Sequence, residues 1–165
     1  MRSRSNRQTS RLSSNLEKSS KMSSFTQPLT VTKILQKSKV KSFGLWSHIE
    51  TKDYWIVEKG FRYWIGSEDG IDFIDVPAGF KTDFASVPRI FWPILPPAGP
   101  YTQAAVLHDY LYNQQKRPRA ECDSIFREAM GVLGVPEWKR QTMYQAVNAF
   151  GWIPWKSKKR VPFTP

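Results

Sequence analysis

The chain has 165 residues, with 25 Lys and Arg against 14 Asp and Glu, and so a net charge of +11. That length fits one domain with tails, and 40% hydrophobic and 14% aromatic residues exclude a collagen-like, wholly disordered or coiled-coil chain. The single cysteine, Cys122, excludes an internal disulfide framework and a zinc knuckle built on cysteines. No stretch approaches the ~20 apolar residues of a membrane span.

The positive charge is concentrated at the two ends of the sequence. Residues 1–24 carry a net +5 and residues 152–165 a net +4, which leaves +2 for the residues between them. Nine serines and no aromatic residue in 1–24 predict a disordered basic tail. Three explanations stay open for this tail: an organelle transit peptide, an arm that binds nucleic acid, or a segment upstream of a true start at Met22.

The first part of the remaining chain, residues 25–92, has the pattern of short strands. Residues 29–35 are rich in β-branched side chains. Two apolar runs within 54–66 surround Glu58-Lys59-Gly60, which is a hairpin signal. Alternation in 71–80 predicts a further strand. One face of that strand is expected to carry Ile71, Phe73 and Val76.

After a proline-rich connector the period becomes helical. Apolar spacing predicts three helices, over residues 102–115, 119–134 and 136–151. Strands followed by helices predict an α+β fold, with N-terminal antiparallel hairpins or a meander and then a bundle of about three helices. We therefore expect a single domain over residues 25–155, between the basic tails 1–24 and 156–165.

The first predicted helix carries a group of residues suited to chemistry. His108 and Tyr112 are four residues apart and share a helix face, and Asp109 lies at the edge of that face. A short connector predicts that the next helix packs antiparallel, so that Asp123 faces His108. An imidazole oriented by a carboxylate is a general base, and a second carboxylate is a ligand for Ca²⁺. The alternative is a core histidine, with Asp123 as a residue that favours a helix start.

A second polar group lies in the segment before the connector. Thr82, Asp83, Ser86 and Arg89 are dense in an otherwise apolar run. These residues suit a turn fixed by side-chain hydrogen bonds and an ion pair, and Asp83 or Arg89 could also join the first group. Ser86 as a nucleophile lacks a Gly-x-Ser-x-Gly elbow.

The seven tryptophans and the second histidine offer weaker signals. The tryptophans are interpreted mainly as packing residues, and His48 as a surface residue. Trp152 and Trp155, with the basic cluster 156–160, suit an anionic membrane surface or nucleic acid as well as a solvated tail.

The segment VPAGFKTDFASVPR, followed by AAVLHDYLY and a helix with CDSIFREAM, resembles small phage and bacterial proteins catalogued as domain of unknown function 1353. The resemblance covers most of residues 25–155. It implies a phage or prophage source and no particular reaction.

A shorter stretch is similar to phospholipase A2 enzymes, chiefly the disulfide-poor bacterial and parvoviral kinds. That resemblance implies that His108 activates water, that Asp109 binds Ca²⁺, and that Asp123 and Tyr112 orient His108. The likeness covers about 40 residues, and Pro97-Ala98-Gly99-Pro100 stands where those enzymes have a calcium loop richer in glycine. The β-rich part of this chain has no counterpart in those enzymes.

Three functional hypotheses follow from these patterns. The first is a phage-encoded hydrolase, calcium-dependent in one version, with a lipid ester as the first substrate and a lipid surface as partner. The second is a non-catalytic virion or tail-associated structural or assembly protein that binds other phage structural proteins. The third is weak nucleic-acid binding through the basic tails. No apolar segment follows the first arginines, so we expect no Sec signal and a location in the host cytoplasm or the virion.

Overall fold

The structure, a computed structural model, describes residues 23–43, 46–67, 70–82 and 99–157. Most of the two expected tails, 1–22 and 158–165, lies outside these residues. Ser24 belongs to the first strand and Lys156 to the last helix.

The described strands form two three-stranded antiparallel sheets. One sheet has the order β1-β4-β5 and the other the order β2-β3-β6. The strands are β1 (Ser24–Phe25), β2 (Val31–Phe43), β3 (Trp46–Val57), β4 (Phe61–Trp64), β5 (Phe73–Val76) and β6 (Lys81–Thr82). Helices follow the strands along the chain, which confirms the predicted α+β class.

The prediction of a hairpin around Glu58-Lys59-Gly60 is wrong. β3 pairs with β2 and β6, whereas β4 pairs with β1 and β5, so this turn joins the two sheets. The first hairpin is instead formed by β2 and β3, with Val31 opposite Val57. A turn signal marks where a strand ends, but it does not say which strand becomes the partner.

The predicted grouping of Ile71, Phe73 and Val76 on one face of a strand is also wrong, because Val76 lies on the buried face of β5 and Phe73 on the opposite one. Ile74 and Val76 are buried, whereas Ile71 is fully exposed and Phe73 is partly exposed. Arg62 covers Phe73 on the outer face, with its guanidinium carbon 3.9 Å from the ring centroid. Because successive side chains of a strand point to opposite faces, residues three apart, such as Phe73 and Val76, cannot share one.

Four helices follow the strands in the described part of the chain. They are α1 (Thr102–Gln114), α2 (Arg119–Val132), α3 (Glu137–Phe150) and α4 (Trp152–Ser157). The first three agree with the predicted ranges to within two residues, whereas α4 was not predicted. No helix among the described residues is long and apolar enough to cross a membrane.

Helix α1 is the centre of the helical part, because side chains all around it are buried. Leu107 and Leu111 lie in the same core as Phe126 and Met130 of α2 and as Tyr63 of β4. Polar side chains on such a helix must find partners inside the protein. The fold therefore puts His108, Asp109 and Tyr112, all on α1, into the core.

Candidate functional site

His108 lies at the middle of the core and is fully buried. Its ring packs between two aromatic rings, with centroid distances of 4.1 Å to Tyr112 and 4.7 Å to Phe126. These contacts hold the plane of the imidazole, so that its two nitrogens point in fixed directions.

Asp123 holds one of those nitrogens. Nε2 of His108 lies 2.9 Å from Oδ1 of Asp123, whose side chain is also buried. A carboxylate only accepts hydrogen bonds, so the hydrogen between the two groups belongs on Nε2. Nδ1 is buried as well and has no hydrogen-bond partner among the described residues. The arrangement therefore directs the lone pair of a neutral imidazole to Nδ1.

Tyr112 supports the same carboxylate. Its hydroxyl donates to Oδ1 of Asp123 at 2.5 Å. Burial raises the pKa of Tyr112 well above the ordinary value of a phenol, and the hydrogen bond and charge of Asp123 raise it further. The phenol therefore stays protonated and able to donate at neutral pH.

Arg119, which sequence reasoning did not single out, completes the cluster. Its Nη1 donates to Oδ2 of Asp123 at 3.0 Å and to the carbonyl oxygens of Val147 and Asn148 at 3.3 and 3.1 Å. Both oxygens of Asp123 thus accept from named donors, and the carboxylate is tied to the end of α3. The spacing of four residues between Arg119 and Asp123 was a signal for this pair in the sequence.

Asp109 makes its hydrogen bond outside the cluster around Asp123. Thr82 Oγ1, on β6, donates to Oδ2 of Asp109, and both side chains are buried. The structure therefore joins one residue from each of the two polar groups singled out in the sequence. Asp83, Ser86 and Arg89 lie outside the described residues, so their expected roles stay predictions.

Helix α4 closes the cluster from the C-terminal side. Trp155 packs against Tyr112 with ring centroids 5.0 Å apart, and Gln115 Nε2 donates to the carbonyl oxygen of Trp155 at 2.7 Å. Gly151, between α3 and α4, lies so close that a Cβ there would be 2.5 Å from the Tyr112 hydroxyl. The signal available in the sequence for this close approach was Gly151. It was interpreted only as the end of the third predicted helix, and the helix that follows it was not predicted.

The side chains of the described residues do not by themselves form a calcium site. Among them no group of three or more His, Cys, Asp and Glu side chains is placed to hold a metal ion. Asp109 is a single carboxylate, and it already accepts from Thr82. Since Ca²⁺ takes six to eight oxygen ligands, calcium binding at Asp109 stays a prediction.

Comparison with known proteins gives a family match. The model of the family described as "Protein of unknown function (DUF1353)" matches residues 55–147, a range that includes Thr82 and the whole His108–Asp123 cluster. No solved structure matches.

Two curated relatives come from Sinorhizobium fredii (strain NBRC 101917 / NGR234). The chain is 40% identical over 78 residues to the uncharacterized protein y4jT and 34% identical over 73 residues to the uncharacterized protein y4iH. These matches cover 46% and 43% of this chain, and 23% and 30% of the two relatives. The chain therefore spans less than a third of the length of either relative.

Proposed function

This chain belongs to the family described as "Protein of unknown function (DUF1353)", and from the geometry of its buried cluster we propose that it is a hydrolase with His108 as the general base. The observation that carries the proposal is the state of the imidazole. One nitrogen is held by Asp123, and the other is buried without a hydrogen-bond partner among the described residues.

A purely structural histidine would be expected to use both nitrogens. Leaving a buried acceptor unpaired costs about 1–3 kcal/mol, and such groups in native proteins call for an explanation. A base that takes a proton during a reaction needs a lone pair free of fixed partners. The arrangement of His108 meets that requirement at Nδ1.

The proposed reaction is the hydrolysis of an ester. Nδ1 takes a proton from water while the water oxygen attacks the carbonyl carbon, and Asp123 stabilises the imidazolium that forms. The carbon–oxygen bond to the alcohol then breaks, and the proton passes from Nδ1 to the leaving oxygen. The products are a carboxylic acid and an alcohol.

The burial of His108 sets a condition on this reaction. Water and the ester reach Nδ1 only if the protein opens locally next to it, as lids and loops do in many enzymes. Lipid esters are the first substrate class to test, because the similarity to phospholipase A2 enzymes at His108, Asp109, Tyr112 and Asp123 favours them. Calcium is a variable of the assay, and no step of the proposed reaction depends on it.

The test is hydrolysis of lipid esters by the wild type and by Asp123→Asn, with and without Ca²⁺. We expect the wild type to hydrolyse a lipid ester and the variant to lose at least ~100-fold in rate, the usual contribution of an oriented general base. Asp75→Asn is the matched control, since Asp75 pairs with Arg62 on the surface, far along the chain from the cluster.

Two outcomes would contradict the proposal. One is a folded wild type that hydrolyses none of the esters with or without Ca²⁺. The other is an Asp123→Asn variant that is as active as Asp75→Asn. Either result would favour the alternative hypothesis, in which the protein is structural and the hydrogen bonds of the cluster only stabilise the fold.

A further inference from the structure

Helices α3 and α4 expose large apolar side chains at the surface of the protein. Trp138 is 60% exposed, Phe150 47%, Trp152 51% and Ile153 52%. Trp138 and Phe150 lie along one groove of about 620 Å³ on α3, with Ala146 between them. Single exposed apolar residues are ordinary, but four large ones on two successive helices, two of them along one groove, indicate an interaction surface. We call these four residues the α3–α4 face.

Positive charge accompanies the two tryptophans of this face. Nζ of Lys139 lies 5.5 Å from the ring centroid of Trp138, and Nζ of Lys156 lies 5.4 Å from that of Trp152. The one acidic residue in 137–157 is Glu137, which forms ion pairs with Arg127 and Arg140. The surroundings of the α3–α4 face are therefore net positive.

This combination suits the boundary between lipid headgroups and acyl chains. Tryptophan has a large apolar ring with one polar edge, and lysine can place its methylene groups against apolar matter while its ammonium stays in water. Basic residues near a surface that contains anionic lipids are attracted to it by the opposite charge. We propose that the α3–α4 face binds the surface of an anionic lipid bilayer.

A second copy of the chain is a poorer occupant of the same face. In a two-fold symmetric contact the same patch meets itself. Lys139 and Lys156 of one copy would then approach the same lysines of the other, and these like charges would repel. An anionic bilayer supplies the opposite charge.

The α3–α4 face is also connected to the buried cluster. Trp152 and Ile153 are exposed on α4, while Trp155 of the same short helix packs on Tyr112, whose hydroxyl donates to Asp123. A bilayer bound at α4 would therefore contact the same short helix whose Trp155 packs on the cluster that holds His108. The binding itself does not require that His108 be catalytic.

The experiment measures binding of the full chain to vesicles made of ether-linked lipids, which cannot be hydrolysed at the ester positions. One set contains phosphatidylglycerol and the other only phosphatidylcholine. We expect co-sedimentation with the phosphatidylglycerol vesicles and a blue shift of the tryptophan fluorescence. Since no ester is present, the result does not depend on the hydrolytic proposal.

The matched variants separate the face from the rest of the surface. Changing both Trp152→Ala and Ile153→Ala is expected to lower the partition coefficient by roughly tenfold, because it removes most of the apolar contact of α4. Phe73→Ala is the control, because Phe73 is an exposed aromatic residue of β5 that also lies beside a cation, Arg62. This variant is expected to bind like the wild type. Thermal unfolding followed by circular dichroism checks that both variants fold.

Several results would overturn the proposal. These are failure of the wild type to bind phosphatidylglycerol vesicles, equal binding to both kinds of vesicle, and equal binding by the double variant and the control. A dimer in sedimentation velocity that the double variant dissolves would assign the face to a second copy. Salt-sensitive binding to duplex DNA that the double variant loses would assign it to nucleic acid.

Discussion

Asp123 is the residue on which the buried cluster converges, since His108, Tyr112 and Arg119 all bond to its two oxygens. Tyr112→Phe keeps the ring contacts and removes one donor from this carboxylate. We expect a loss of roughly 1–2 kcal/mol in the free energy of unfolding, the cost of weakening the pairing of a buried charged acceptor. Urea unfolding measures it, with Tyr110→Phe on the same helix as the control. Equal stabilities of the two variants would contradict the assigned hydrogen bond.

The reactivity of the Cys122 thiol tests the same region in the wild-type protein. Burial, followed by the charge of Asp123, raises the pKa of its thiol to about 12. Thiolate is the reactive form, so we expect no reaction with an aromatic disulfide reagent in the folded protein at about pH 8. Full reaction should follow in denaturant. Rapid modification of the native protein would show that the core around Asp123 is open.

At the scale of elements, the contact between α4 and α1 depends on Gly151. A Cβ at this position would collide with the carbonyl oxygen of Val147 and with the Tyr112 hydroxyl. We expect Gly151→Ala to cost roughly 1–3 kcal/mol of stability, as overpacking does, and to weaken the proposed activity by moving Tyr112.

Gly131→Ala is the control for that change. It also adds one methyl group, here inside α2, but the nearest atom is the end of the Arg140 side chain, which can move. Thermal and urea unfolding should place this control within about 0.5 kcal/mol of the wild type. A Gly151→Ala variant as stable as Gly131→Ala would contradict the close approach of α4.

Helices α2 and α3 are also linked on their outer sides, where Glu137 accepts from Arg127 at 2.7 Å. This hydrogen bond is the main reason that the pKa of Glu137 is below its ordinary 4.5. A lowered pKa stabilises the folded state above the unfolded pKa, and that stabilisation is lost as the pH falls through the folded value. The small difference in the free energy of unfolding between the wild type and Glu137→Gln should therefore shrink as the pH falls below 4.5. It should disappear once the pH is below the lowered pKa of the folded state. A difference that persists in acid would contradict this link.

At the scale of the whole molecule, the order of elements was predictable because helical and strand periods are local properties of the sequence. The spacing within α1 and its short connection to α2 also indicated that His108, Tyr112 and Asp123 meet. The pairing of β4 with β1 and β5 was not predictable, because pairing joins residues far apart in sequence. The exposure of Trp138 was missed for a similar reason, since apolar character does not say what covers a residue.

The family match and the matched relatives leave the reaction open, so the account depends on the state of one imidazole. The most direct measurement is ¹⁵N NMR of the two histidines at about pH 8, above the ordinary titration range of imidazole. His48→Asn identifies the His108 signals. The account predicts a hydrogen on Nε2, bonded to Asp123, and a lone pair on Nδ1. A hydrogen on Nδ1 of the neutral ring would contradict it, because the nitrogen proposed as the base would then have no lone pair to accept a proton.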